Sequence, residues 1–334
     1  MKIYKFLIVF IFLFNQSCFG QTKKINGLSF VASRDAISEK HVIPVVNINA
    51  NYASVMPFGF IRDLNNPVIV YNTDRQWFGE SKEGAKQYIK ELKKKGISIM
   101  MKPHIWVWRG EFTGYISMKN EEDWKILEDS YTKFILDYAE LAEESKLEIL
   151  CIGTELEKFI VERPKFWNNL ISKIKEIYKG KLTYAANWDE FKRTPFWSQL
   201  DFIGVDAYFP VSDSKTPTLE ECLEGWKQHK KVIKEISNKH NKPILFTEFG
   251  YRSVDFSGRE PWKSDRGLTK VNLDAQTNAT QALFEEFWKE DWFAGGFVWK
   301  WYHDYEQSGG ENDTRFTPQN KPVEVVIKSY YSHQ

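Results

Sequence analysis

Two glutamates close apolar runs that contain no other charge. Glu155 follows Ile149-Leu150-Cys151-Ile152-Gly153-Thr154, and Glu248 follows Ile244-Leu245-Phe246-Thr247. A carboxylate placed there loses hydration unless hydrogen bonds or a chemical task compensate. Glycoside hydrolysis supplies such a task. It needs one protonated carboxyl to assist the leaving oxygen and one ionised carboxylate to attack or stabilise the anomeric carbon. Mutual repulsion and unequal surroundings would separate the two pKa values, giving an acid and a base at one pH. The bland alternative for either glutamate is an ion pair with an arginine at the rim of the fold. Most of the 45 acidic residues, such as Glu121, Glu122, Glu143 and Glu144, lie on helical patterns, where a solvated face accounts for them.

Other polar and aromatic residues stand at the ends of similar runs. Lys102-Pro103-His104 offers an imidazole that can hydrogen-bond a sugar hydroxyl, although a lone histidine is more often structural. Asn187-Trp188 offers an amide beside an indole, and Asp206-Ala207-Tyr208 a carboxylate and a phenol. Trp299 and Trp301 are two residues apart, so on a regular strand they point the same way. Trp77 and Arg252 are weaker candidates. His104 and His303 have no matching ligand spacing, so neither a metal nor another cofactor is expected.

These residues must be positioned by an alternation of short β-rich runs with longer amphipathic stretches. Eight runs can be counted: 28–32, 54–61, 97–107, 148–153, 182–187, 202–208, 244–249 and 293–301. Helical patterns cover 81–95, a long stretch from about 120, then 164–179, about 219–239, about 273–289 and a last short one near 323–329. Several runs are apolar nearly throughout, as strands buried on both faces of a parallel sheet must be. No GxGxxG or GxxxxGK[ST] loop follows an early strand, which argues against a nucleotide-binding open sheet. The expectation is an α/β fold, a single-domain (β/α)8 TIM barrel over residues 21–334, with its chemistry where strands run into loops.

The motifs Gly153-Thr154-Glu155-Leu156, Thr247-Glu248-Phe249-Gly250-Tyr251 and Gly295-Gly296-Phe297-Val298-Trp299-Lys300-Trp301 resemble those of the retaining (β/α)8 glycosidase clan. Within that clan the chain is most similar to glycoside hydrolase family 113, the endo-β-mannanase family, over nearly all of its mature length. The resemblance implies a double displacement with Glu155 as acid/base and Glu248 as nucleophile. It implies that Tyr208 donates to the nucleophile and that a tryptophan floors the −1 sugar site, either Trp299 or Trp301, with Trp299 the first choice. Most clan members carry Asn before the acid/base; this chain has Thr154, which fits the family pattern and leaves open what recognises O2. The expected substrate is mannan or glucomannan. A β-glucanase or exo-β-mannosidase specificity on the same site is the first alternative, with the loop at 251–269 deciding between cleft and pocket. A catalytically silent carbohydrate-binding barrel is the second, disfavoured because both carboxylates are present.

Bulk properties agree with a carbohydrate partner and with no nucleic-acid one. Formal net charge is +1, from 46 basic and 45 acidic residues, so no strong field steers polyanions to the surface. Tryptophan occurs 13 times, and packing or stacking on sugar faces would each explain it. Lys2 and Lys5 precede the apolar run 6–14, and Ser17, Cys18 and Gly20 follow, which reads as a signal peptide over residues 1–20. Export to the periplasm or outside the cell is expected. A lipid anchor at Cys18 is the alternative, against which Asn15 and Gln16 fit the usual anchor motif poorly. Cys151 and Cys222 are expected to be buried free thiols, and the protein to act as a monomer.

Overall fold

The computed structural model describes residues 23–264, 267 and 269–332. The leader assigned to 1–20, with Cys18, lies outside them. Eight parallel strands close into a barrel: β1 (Ile25–Phe30), β2 (Tyr52–Val55), β4 (Ser98–Met101), β6 (Ile149–Thr154), β7 (Lys181–Asn187), β8 (Ile203–Asp206), β9 (Ile244–Phe249) and β10 (Phe293–Trp301). Around it run α1 (Glu39–Asn47), α2 (Lys82–Lys93), α3 (Glu121–Glu144), α4 (Glu157–Glu162), α5 (Pro164–Ile177), α6 (Leu219–His240), α7 (Leu273–Phe287) and α8 (Pro322–Ser332). This is the expected (β/α)8 barrel. Among the described residues no helix is long and apolar enough to cross a membrane.

The apolar character of the strands follows from their two buried faces. Ile149 and Cys151 point into the barrel, where they pack with Ile25, Met100, Ala185, Phe202, Leu245 and Phe297. Leu150 and Ile152 point outward into the larger layer beneath the helices. Trp167, Trp197, Trp226, Trp288 and Trp301 are fully buried, so packing accounts for much of the tryptophan content. Cys151 and Cys222 are buried free thiols.

Helix starts are set by side chains. Ser81 accepts from the Gly84 amide at 3.1 Å, Asn120 from Asp123 at 2.9 Å and Asn272 from Ala275 at 3.1 Å. Thr218 and Glu221 cap each other reciprocally. The α1 helix is not among the expected helical patterns, and Pro44 lies inside it. As the sixth residue of the helix it leaves the Lys40 carbonyl without its helical donor, yet Pro44 O still accepts from the Ile48 amide at 3.2 Å.

Two of the eight expected strands prove to be double. The runs 54–61 and 97–107 each break at a proline, Pro57 and Pro103, which lacks the N–H needed to continue a ladder. Beyond the breaks, β3 (Phe58–Ile61) pairs with β5 (His104–Val107) as a separate two-stranded sheet. The pairing keeps its register across the prolines: Val55 faces Met101 before them and Phe58 faces His104 after them. Lys102 N–H donates to Val55 O and His104 N–H to Pro57 O, each at 2.9 Å. The small sheet thus leaves the barrel as one unit and stands above its mouth.

At the opposite side, Gly295 sits at φ 124°, and a Cβ there would lie 2.2 Å from the Ile25 carbonyl oxygen. Replacing Gly295 with Ala is therefore expected to cost about 3 kcal/mol or more, combining backbone strain and overpacking between β10 and β1. Urea unfolding of the variant measures it; a loss below about 1 kcal/mol would show that this strand pair tolerates separation.

Candidate active site

The barrel mouth is built around one buried cation. Lys102 directly follows β4 on an inward position and is wholly shielded from solvent. Its ammonium donates to Asp206 Oδ1 at 3.2 Å and Oδ2 at 3.4 Å, and it also bonds Glu248 Oε1. Burial alone would lower its pKa, but the charges of Asp206 and Glu248 and the bond to Glu248 outweigh that and raise it. Asp206 Oδ1 also accepts from Thr247 at 2.7 Å. Burial and the neighbouring Glu248 charge push the Asp206 carboxyl up to about 7, against the opposing pull of Lys102.

Glu248 lies on β9, nearly buried, and its second oxygen accepts from the Tyr208 hydroxyl at 2.7 Å. Both of its oxygens are thus engaged by donors, the arrangement that suits an ionised carboxylate. Glu155 is built differently. It stands one residue past β6 with φ 51°, a left-handed conformation that a non-glycine residue adopts only when its surroundings hold it there. Its N–H donates to Ala185 O at 2.8 Å, and its carbonyl accepts from Thr113 Oγ1 at 3.1 Å. Burial, then the charges of Asp206 and Glu248, hold its carboxyl well above the usual carboxylate range, with Lys102 opposing. One carboxylate is clamped by donors and the other is kept protonated.

The expected neighbours fall into three groups. His104 and Trp299 flank the pair: their rings stack at 6.3 Å and 17°, and His104 Nε2 is 3.8 Å from Glu248 Oε1. Burial and the Lys102 charge hold the imidazole well below its ordinary pKa, so it is neutral, and among the described residues Nε2 has no hydrogen-bond partner. Asn187 ends β7, and its Oδ1 accepts from the Trp188 amide at 2.8 Å. Trp188 is half-buried and stacks on Trp262 at 5.3 Å and 18°.

Two expectations are corrected. Asp206, expected to touch substrate, is fully buried and occupied by Lys102 and Thr247, so it holds the cation instead. Trp301, expected to share a side with Trp299, is fully buried in the helix-facing layer beside Tyr305. The reason is a register shift: Leu28 pairs with Val298 but Phe30 with Trp301, so β10 carries one extra residue and strict alternation fails. The Trp299–Lys300 peptide in this stretch is cis. Of the weaker candidates, Trp77 is exposed and packs against Arg34, while the buried Arg252 donates to Thr314 O at 3.0 Å. Lys102 was missed as a site residue although it closes an apolar run just as the glutamates do; His104, two residues on, was read as the polar group of that run. Among the described residues no cluster of three His, Cys, Asp or Glu is arranged to hold a metal.

Removing the cation leaves two carboxylates buried together. Lys102→Met is expected to cost about 3–5 kcal/mol of stability and most of the activity. Chemical unfolding and turnover on a common substrate measure both, and wild-type values for either would remove Lys102 from its central place.

Comparison with known proteins agrees with this fold. No curated protein matches the chain in sequence. Among solved structures it is similar to a family 113 β-mannanase from Alicyclobacillus acidocaldarius in complex with ManMIm, with 23% identity, a TM-score of 0.81 and coverage of 92% of this chain and 97% of that one. A second family 113 β-1,4-mannanase gives 21% identity, a TM-score of 0.81 and coverage of 93% and 100%. A Faecalibacterium prausnitzii β-glucuronidase is more distant, at 15% identity and a TM-score of 0.59; the match spans 91% of this chain but 48% of the enzyme. These likenesses concern the fold. The sequence itself matches the family model for Glycoside Hydrolase Family 113 over residues 34–321. The chain belongs to glycoside hydrolase family 113 and is a glycoside hydrolase.

Proposed function

We propose that the protein hydrolyses β-1,4-mannan or glucomannan with retention of configuration, using Glu248 as nucleophile and Glu155 as acid/base. The observation that carries the role assignment is the contrast between the two carboxyls. Glu248 receives the Lys102 ammonium and the Tyr208 hydroxyl, whereas burial and nearby negative charge keep the proton on Glu155. The mannan reading is supported by the family and by the activity named for its similar solved structures.

In the first step Glu248 attacks the anomeric carbon while Glu155 gives its proton to the departing glycosidic oxygen. The glycosyl ester that forms is then attacked by water. Glu155, now ionised, takes the water's proton, and the ester bond breaks to release Glu248. Lys102 and Tyr208 steady the negative charge on Glu248 before attack and as it leaves. Trp299 offers an indole face to the sugar at the cleavage point, backed by the neutral ring of His104. Asn187 and the Trp188–Trp262 stack offer polar and flat surfaces to a neighbouring sugar. The apolar leader sends the enzyme out of the cytoplasm to a polymeric substrate, where it acts as a monomer.

A reducing-sugar screen over mannan, glucomannan, β-glucan and xylan tests the substrate, with release from the first two expected. Cleavage of β-glucan alone would overturn the mannan reading and leave the mechanism standing. Azide tests the roles. Glu155→Ala should retain activity on an aryl glycoside with a good leaving group, and azide should rescue it to a β-glycosyl azide. Glu248→Ala should be inactive on all substrates without azide and, with azide and the activated aryl glycoside, yield the α-azide; the opposite pair of anomers would swap the roles.

The acid form of Glu155 is the working form of the first step. Since its pKa is raised, activity should persist above the ordinary carboxylate range and fall as pH rises through the Glu155 value. That alkaline limb should disappear from the kcat/KM profile of Glu155→Gln measured on an activated aryl substrate.

A further inference from the structure

A fourth buried carboxyl lies behind the acid/base and has no part in the mechanism above. Glu190 is fully buried, and no ion pair reaches it among the described residues. Arg193, three residues on, turns instead to Glu157, with Nε at 2.8 Å. A buried carboxyl without a cation is costly, so its hydrogen bonds define what it does. Glu190 Oε2 accepts from the Asn187 amide at 3.0 Å, and Oε1 accepts from the Tyr184 hydroxyl at 2.7 Å. That hydroxyl in turn accepts from the Leu156 amide at 2.7 Å. Leu156 directly follows Glu155.

Resting on the reading of Glu155 as acid/base, we propose that Glu190 and Tyr184 are positioning residues that hold Glu155 in its left-handed, proton-donating pose. Three backbone groups fix that pose: the Glu155 N–H on Ala185 O, the Glu155 carbonyl under Thr113, and the Leu156 N–H on Tyr184. The third is a chain of hydrogen bonds and not a single contact. Tyr184 cannot drift, because Trp167 and Phe196 meet its ring edge-on at 5.9 and 5.5 Å. Its hydroxyl has one proton, which Glu190 takes, so its lone pairs face the Leu156 amide. Glu190 also ties the turn after β7 to the same point through the Asn187 amide. Burial, against these two hydrogen bonds, pushes its carboxyl up to about 8. The relay therefore reaches from the strand after the acid/base to the backbone of the acid/base itself.

A purely structural staple would affect every substrate alike. A positioning role would matter most where proton donation limits the rate. The test assays the full chain as wild type, Tyr184→Phe, Glu190→Gln and Glu155→Ala on an unactivated oligosaccharide and on its 2,4-dinitrophenyl counterpart. The glycan is whichever one the wild type cleaves, so the substrate reading is not at stake. Tyr184→Phe strands the Leu156 amide, and Glu190→Gln cannot accept from both Tyr184 and Asn187. In both variants we expect kcat/KM, which covers the steps up to the glycosyl ester, to fall about 10- to 100-fold on the oligosaccharide and less than about threefold on the aryl glycoside. Equal losses on both substrates, a change in KM alone, or no change overturn the proposal. If circular dichroism shows one variant unfolded, the other decides; if both are unfolded, the pair belongs to the fold alone and the proposal fails. Glu155→Ala separates the two layers of inference. Should it show no dependence on leaving group, the acid/base assignment falls; should it show one that the relay variants lack, only the positioning role falls.

Discussion

Three charged side chains share a space from which water is excluded: the Lys102 ammonium between the Asp206 and Glu248 carboxylates. Each charge alone would be prohibitive there, and the group is tolerable only as a set. This constraint orders the rest of the mouth. Lys102 comes from the third barrel strand, Asp206 from the sixth and Glu248 from the seventh, so the set can form only when the barrel has closed. Thr247 and Tyr208 then complete the hydrogen bonding, and burial, joined by the same cation, holds the adjacent His104 well below its ordinary pKa. A barrel that merely filled its interior with apolar side chains would be easier to build; the polar layer on top is what an enzyme adds.

Beneath that layer the interior is apolar, from Ile25 and Met100 around to Phe297. The dry floor limits how far the charges can relax and so makes their pairing geometry strict. Glu155 lies outside the ion set. Among the described residues no ammonium donates to it, its backbone is held in a left-handed bend, and burial with the negative groups near it favours the protonated form. Two glutamates at equivalent strand ends thus differ in chemistry because one is placed on the cation and the other is not.

Much of this was legible in the sequence because apolar runs ending in a charge are rare and barrel strands display them openly. Glu155 and Glu248 stand out in that way as candidates, and the eight-run count gave the closed sheet. What stayed hidden depended on geometry off the strand pattern. Nothing in the order of residues tells that β10 takes in an extra residue, which sends Trp301 to the helices while Trp299 stays at the mouth. Tyr184 reads as one more aromatic in a buried strand, and Glu190 as one more acid in a turn. Their meeting depends on the turn after β7 folding back over its own strand. Asp206 was placed correctly at a strand end, but its partner Lys102 was needed to know which way it served.

The paired prolines at the ends of β2 and β4 have a consequence for how this scaffold can diversify. Because the β3–β5 sheet continues the barrel's own register, the wall carrying His104 is rooted in paired backbone and is not a detachable loop. Insertions or exchanges in that wall would drag the histidine, and with it the face behind Trp299. Among the described residues, the segments after β7 and β9, which carry Trp188 and Trp262, have no such root in the barrel ladder. Change of specificity over evolutionary time, or in the laboratory, therefore has a free side and a fixed side: the mouth can be remodelled around one half of its circumference while the other half travels with the barrel.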